Sequence, residues 1–297
     1  MIERLCPLCN SQTAVSLFAE ARLDTARMDA YAYASRKVPE YMHHRLLHCA
    51  GCDVIYASPV PNSDELASAY AAAAFDSQLE SVYASLTYAS AIGPVCARLP
   101  DRLRALDVGA GDGAFCRQLK ALGFANVTGL EPSSAPVEAA DPSVKSDIMQ
   151  AMFTSGMFPA ETFSLVTCFQ TIEHVSFPKA LCEEAVSILK PGGALCIVAH
   201  NRRALSARLL GRNSPIFDLE HLQLFSPSSL RQLLESAGLK SVEVKALWNR
   251  YPIAYWTRLF PIPMTDKQAV MSALKATRMG SIPVKIPAGN LIAWGFR

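Results

Sequence analysis

Two short spacings in this 297-residue chain are suited to chemistry. Cys6-Pro7-Leu8-Cys9 and Cys49-Ala50-Gly51-Cys52 are CxxC pairs. Each pair can chelate one metal through a tight turn, and four thiolates suit a tetrahedral, structural Zn2+. The 39 residues between the pairs exceed the usual spacing, but an insertion in a connecting loop leaves the coordination unchanged. A redox pair and an iron–sulfur site are the competing readings. His48, beside Cys49, is a bystander, because four cysteines already close the set.

The second spacing is Leu106-Asp107-Val108-Gly109-Ala110-Gly111-Asp112-Gly113, between a strand-like and a helix-like run. Such a loop lets a ligand approach the backbone closely at a helix N-terminus. Glu131, 22 residues after Gly109, stands where an acid can accept both hydroxyls of a ribose. Asp107 and Asp112 flank the glycines and would repel a pyrophosphate, but they suit a ligand carrying an ammonium and a sulfonium. The loop therefore points away from a nicotinamide dinucleotide and toward S-adenosylmethionine. The competing reading is a tight strand–helix turn with a solvated glutamate.

The elements that must position these residues fall into three zones. Residues 1–60 show little sustained periodicity, as expected where a metal replaces a hydrophobic core, and read as a small zinc-binding module with a core of its own. Residues 61–98, after Pro59-Val60-Pro61, read as a helical connector with Asn62 or Ser63 as N-cap. From Leu99 to the end, apolar runs alternate with amphipathic stretches, the α/β pattern. Strands are expected at Leu106–Val108, Val127–Leu130, Phe163–Phe169, Ala194–Ala199, Ser241–Leu247 and Asn290–Phe296. A weak third strand is expected at Val144–Ile148, and a tight turn at Lys190–Gly193 feeding the fifth. Helices are expected at Ala114–Leu122, Lys179–Leu189 and Ser226–Ala237.

Four segments in order, 106–113, Gly129-Leu130-Glu131-Pro132-Ser133, 163–175 and Leu189-Lys190-Pro191-Gly192-Gly193, resemble the class I S-adenosylmethionine-dependent methyltransferases. The core is similar to that of the ubiquinone-biosynthesis methyltransferases, and the resemblance covers roughly 99–297. It implies a Rossmann-like seven-stranded sheet whose last strand, 290–296, is antiparallel. It also implies that Asp107 and the backbone at Gly109, Ala110 and Gly111 hold the methionine portion of the cofactor. Glu131 would hold the ribose, Asp147 and Ile148 would lie by the adenine, and Phe169 and Gln170 would face the cofactor. The cysteine module resembles a zinc-binding domain that precedes methyltransferases of sugar and secondary-metabolite pathways, deoxysugar C-methyltransferases among them.

Methyl transfer from a sulfonium is an in-line displacement, so positioning supplies much of the catalysis, and only an acceptor that loses a proton needs a base. His174, after the fourth strand, and His221, in Leu219-Glu220-His221-Leu222, are the two candidates for that base. His200 is a weaker third. The competing reading is that Glu173-His174 serves the fold or the cofactor pocket. Tyr251, Tyr255 and Trp256 form either an acceptor wall or a helical hairpin packed on the sheet.

Composition excludes other classes. Hydrophobic residues at 51% and charged residues at 18% make a foldable chain, and a net charge of +2 gives no strong nucleic-acid signal. The longest charge-free stretch, 81–97, is interrupted by Gly93-Pro94 and is no membrane span. With no secretory signal, a cytoplasmic location is expected. The favoured function is methylation of a small-molecule acceptor, at oxygen, in a natural-product or sugar pathway. One alternative is an RNA methyltransferase gripping nucleic acid through the zinc module, although residues 1–60 hold six basic and six acidic residues. The other is a non-catalytic cofactor-binding scaffold.

Overall fold

The computed structural model describes residues 1–24, 41–71, 73–75, 78–259 and 264–297. Residues 25–40, within the long segment between the cysteine pairs, and residues 260–263, which follow Tyr251, Tyr255 and Trp256, lie outside the described residues.

The amino-terminal part contributes β1 (Val15–Ala19), β2 (Leu46–Cys49) and β3 (Val54–Ala57). Two helices follow, α1 (Ser63–Ala71) and α2 (Gln78–Cys96). Asn62 caps α1: its side chain accepts the Glu65 N–H at 2.8 Å while Glu65 accepts the Asn62 N–H at 2.8 Å. The α/β part then runs β4 (Arg104–Val108), α3 (Ala114–Ala121), β5 (Asn126–Leu130), α4 (Ser134–Ala139), α5 (Pro142–Lys145), β6 (Ile148–Met149), β7 (Phe163–Phe169), α6 (Pro178–Ile188) and β8 (Leu189–His200). It closes with α7 (Leu205–Leu210), β9 (Gln223–Leu224), α8 (Pro227–Ser236), β10 (Lys240–Pro252), α9 (Ile253–Leu259), α10 (Met264–Ala276) and β11 (Pro283–Phe296).

Seven strands form one sheet in the order β10-β11-β8-β7-β4-β5-β6. The strands from β4 to β8 pair in parallel, and β11 runs antiparallel to both β8 and β10. This is the expected Rossmann-like sheet with a reversed last strand. Parallel strands covered on both faces are rich in apolar residues, and every residue of β7 is buried, Ser164 and Thr167 included.

Three local expectations are corrected. The third strand is only Ile148-Met149, because Val144 lies in α5, where Asp141 caps the helix and Pro142 starts it. The turn at Lys190–Gly193 is absorbed into β8, which pairs with β7 from Leu189 onward across a register shift. The sixth and seventh strands run well beyond their expected ends, pairing as far as Pro252 with Pro283.

The amino-terminal sheet is also not self-contained. Its order is β1-β2-β3-β9, so the α/β part supplies its fourth strand through Tyr56↔Gln223 and Ile55↔Leu224. Leu8, Cys49, Val54 and Tyr56 share one apolar cluster with Val166, Phe225 and Leu230. The expectation of a separate core for residues 1–60 is therefore replaced by a core common to both parts. Arg202 and Arg203 clamp Asp53 across the same joint, Arg203 Nη2 at 2.6 Å. Among the described residues, no helix is long and apolar enough to cross a membrane.

Candidate functional site

At the cysteine pairs, the turns fold as their spacing requires. The Asn10 N–H donates to Cys6 O at 2.9 Å and the Asp53 N–H to Cys49 O at 2.8 Å, each turn closing on a left-handed residue. The Sγ atoms of Cys6, Cys9, Cys49 and Cys52 all lie within 4.8 Å of one another. Cys6, Cys49 and Cys52 are buried and Cys9 is exposed. Burial raises the Cys6 thiol to about 12 and pushes Cys52 up as well. A set of converging sulfurs with no carboxylate among them fits a borderline-soft divalent ion. The His48 ring faces Asp53, Nε2 to Oδ1 at 3.5 Å, rather than completing the cluster.

The glycine loop lies at the carboxyl end of β4. Its first glycine, Gly109, has φ +79° and faces Thr171 so closely that a Cβ there would fall 2.1 Å from Oγ1. Gly129 on β5 serves the same packing, since a Cβ would meet Ala110 at 2.8 Å. The loop's N–H groups are spent within the protein: Gly109 and Ala110 both donate to Leu130 O at 2.8 Å, and Gly111 donates to Glu131 Oε2 at 3.0 Å. The charged groups that remain on the wall are carboxylates.

A cleft opens over this loop. Asp107, Gly109, Ala110, Gly111, Asp112 and Phe169 line it from below, and Ser81, Ser85 and Tyr88 of α2 from above. Tyr88, Phe115 and Phe169 meet edge-to-face beside it, Phe169 at 4.8 Å from each of the others. Asp107 is buried and raised to about 7 by desolvation, despite the Thr167 hydroxyl that donates to it at 2.7 Å. Desolvation also raises Asp112, which accepts the Ser81 hydroxyl at 2.8 Å, and Glu131, which accepts the Ser133 N–H at 2.9 Å. Gln170 takes a left-handed conformation, and among the described residues its buried Nε2 has no hydrogen-bond partner. Acceptors short of a cation, next to a buried amide with a free donor, fit a zwitterionic ligand head.

Two of the expected cofactor residues stand apart from that wall. Asp147 gives its carbonyl to Gly129 N at 2.9 Å, and its carboxylate pairs with Lys120. Ile148 packs beneath the loop, against the position a Gly113 Cβ would take.

His174 and His221, from loops almost fifty residues apart, come together with ring centroids 5.0 Å apart. His200, at the end of β8, lies 4.7 Å from His221. His221 Nδ1 lies 2.9 Å from Ile216 O, which makes it the donor nitrogen and leaves Nε2 as an acceptor. Glu173 is wholly buried beneath the rings, and its Oε1 accepts both the His200 N–H at 2.7 Å and Nδ1–H at 2.9 Å. Burial pushes Glu173 upward, but the His200 hydrogen bond prevails and holds it at about 2. Burial lowers His174 to about 3 and lowers His221 too, so both rings are neutral at pH 7. Glu220 approaches His174 Nδ1 at 3.6 Å and Tyr70 meets the His174 ring edge-on at 6.2 Å.

Sequence reading missed Glu173, Glu220 and Tyr70 as neighbours of the histidines, and α2 as the roof of the cleft. The first two were in view beside His174 and His221. Tyr70 and the roof residues carried no motif at all. In the aromatic segment, Tyr251 and Tyr255 stack at 4.3 Å, and the Trp256 indole donates to Val284 O at 3.1 Å. That is packing against the β10–β11 extension.

A methyltransferase-domain family model matches residues 75–244. The ubiquinone biosynthesis O-methyltransferase of Xanthomonas axonopodis pv. citri is 30% identical over 167 residues, covering 52% of this chain and 70% of that protein. The ubiquinone biosynthesis O-methyltransferase of Burkholderia ambifaria is 27% identical over 157 residues, 48% of this chain and 67% of the relative. Among solved structures, a chain of the complex between the Haloferax volcanii Trm112 methyltransferase activator and the putative methyltransferase has a TM-score of 0.50. Its identity is 19%, with 73% of this chain and 90% of that one covered, which makes it a likeness of fold.

Proposed function

Because the chain belongs to the methyltransferase-domain family and is a class I S-adenosylmethionine-dependent methyltransferase, we propose that it methylates an oxygen of a small-molecule acceptor. When bound, S-adenosylmethionine supplies an electrophilic methyl group on a sulfonium. Asp107 would accept its ammonium, with the loop from Gly109 through Ala110 to Gly111 shaping the wall. Gln170 would donate to its carboxylate and Glu131 would accept the ribose hydroxyls, while Phe169 forms the apolar floor. Asp147 and Ile148, one strand further out, would bound the adenine side.

The acceptor would lie over β7 and β8, where His221 Nε2 or His174 takes the proton of its hydroxyl. Glu173 beneath the rings offsets the imidazolium that results. Cys6, Cys9, Cys49 and Cys52 would hold a structural zinc.

The observation that carries this reading is the loop whose N–H donors are already spent. A pyrophosphate needs those donors, whereas a cation needs the carboxylates that remain. Two measurements test it. Calorimetry with S-adenosylhomocysteine should show Glu131→Ala weakening binding by about 1–3 kcal/mol, because two hydroxyls lose a charged partner. A metabolite screen should find an acceptor gaining one methyl group. Equal affinity in wild type and variant would remove Glu131 from the site, and methylation confined to RNA would overturn the acceptor class.

A further inference from the structure

Arg4 lies two residues before the first cysteine, yet its guanidinium ends among carbonyl groups of three distant segments. Its Nε donates to Ala57 O at the end of β3, at 2.8 Å. Its Nη1 donates to Ser176 O at 2.8 Å, two residues beyond His174. Its Nη2 donates to Leu222 O, one residue beyond His221. The main chain is fixed as well: the Arg4 N–H donates to Ser58 Oγ at 3.0 Å, and that hydroxyl donates to Glu3 Oε2 at 2.6 Å. The cation sits over the Tyr56 ring, 5.8 Å from its centroid. Burial lowers the guanidinium to about 10.

Carbonyls on three different segments cannot satisfy one another. A planar cation with donors in a fixed fork can serve all three at once, and its geometry then sets their spacing. The same joint is reinforced where Leu222 N–H donates to Glu173 O at 2.8 Å and Ala57 N–H donates to Leu222 O at 2.8 Å. Gln223 Nε2 adds bonds to Ile172 O at 2.6 Å and Val175 O at 2.8 Å. The loops that carry His174 and His221 thus share a frame, and the cysteine-bearing part supplies the guanidinium that bridges them.

We infer that Arg4 is a positioning residue for the histidine cluster, so that the cysteine-bearing part of the chain sets the geometry at which the acceptor end works. This rests on the reading of His174 and His221 as the acceptor end. Arg4 touches neither ring and acts through the carbonyls of Ser176 and Leu222. A displacement of about 1 Å at the base is enough to cost up to 10²-fold in turnover.

The test compares full-length wild type with Arg4→Met, which keeps the apolar stem and removes the fork. Arg4→Lys keeps the charge on a single point donor. Three readouts are taken: bound metal, S-adenosylhomocysteine affinity by calorimetry, and the ring 15N signals of His174 and His221. Arg4→Met should keep the metal and bind S-adenosylhomocysteine within about twofold of wild type, while both ring signals move. Arg4→Lys should fall between.

With an acceptor that wild type methylates, kcat should drop about 10–100-fold at unchanged KM for the cofactor. Ring signals unchanged in a folded Arg4→Met would overturn the inference. So would loss of metal, cofactor affinity and ring signals together, or failure of both variants to fold, since Arg4 would then be framework only. If no acceptor is ever methylated, the proposed function fails while the ring signals still decide the role of Arg4.

Discussion

The glycine-loop cleft and the histidine cluster bury ionisable groups to opposite effect. At the β4–β5 end, burial raises Asp107, Asp112 and Glu131, and the nearby backbone donors are already engaged. At the β7–β8 end, burial lowers His174 and His221, and the wholly buried carboxylate of Glu173 is held ionised by His200. The first end is short of a positive charge, and the second holds two neutral rings with room for a proton. Desolvation is the common cause, and the residue type decides the sign. If Asp107 accepts the cofactor's ammonium and the histidines take the acceptor's proton, as proposed, one sheet separates the two tasks.

The sharpest way to break this contrast is at the histidines. His221→Ala or His174→Ala should cut turnover by about 10²–10⁴-fold at saturating cofactor, with S-adenosylhomocysteine affinity nearly unchanged. If both variants turn over normally, the second end does no proton chemistry and positioning alone suffices.

A smaller effect should appear at the first end. Asp107 receives a cation only when ionised, and in the free protein it gives up its proton near pH 7. Cofactor affinity should therefore weaken below that point, approaching about tenfold per pH unit for a one-proton linkage. Asp107→Asn should bind more weakly and lose the slope. A flat pH profile in wild type would show that Asp107 is not the cation's partner.

The smallest effect is on stability, where the two ends pull in opposite directions. The folded-state pKa of His174 is depressed to about 3, so its contribution is complete above the unfolded value near 6.5 and is lost as pH falls toward 3. Asp107 is raised, so its contribution is complete below the unfolded value near 3.8 and is lost as pH rises through 7. Asp107→Asn should therefore raise Tm by a few degrees at pH 8 relative to its effect at pH 5. The ligand-free protein followed by calorimetry at both pH values checks this.

Much of the sheet was legible because its strands are covered on both faces. Phe163–Phe169 reads as an apolar-rich run, interrupted by Ser164 and Thr167, and folds with those bounds. The third strand was not, since two residues carry no period and the neighbouring Val144 belongs to a capped turn of helix. Gln223-Leu224 is equally short, and its partner, β3, lies far back in the chain, so nothing local announces it. The same limit applied at the site. Asp107 and the glycines form a contiguous pattern, Glu131 follows the next strand, and His174 and His221 were each visible in their own loops. That these two rings meet, with Glu173 beneath them and Tyr70 alongside, depends on contacts between segments that share no local signal.

The borrowed strand β9 also sets an order of events during synthesis. Residues 1–60 leave the ribosome before the α/β part, with both cysteine pairs complete. Their sheet nevertheless ends at β3 until Gln223 and Leu224 are made, which takes on the order of ten seconds or more at ordinary elongation rates. Through that interval Ile55 and Tyr56, buried in the finished protein, stand on an unpaired strand edge, where a nascent chain is most prone to pair with the wrong partner. Of the two parts, the one translated earlier waits on the other for the last strand of its sheet.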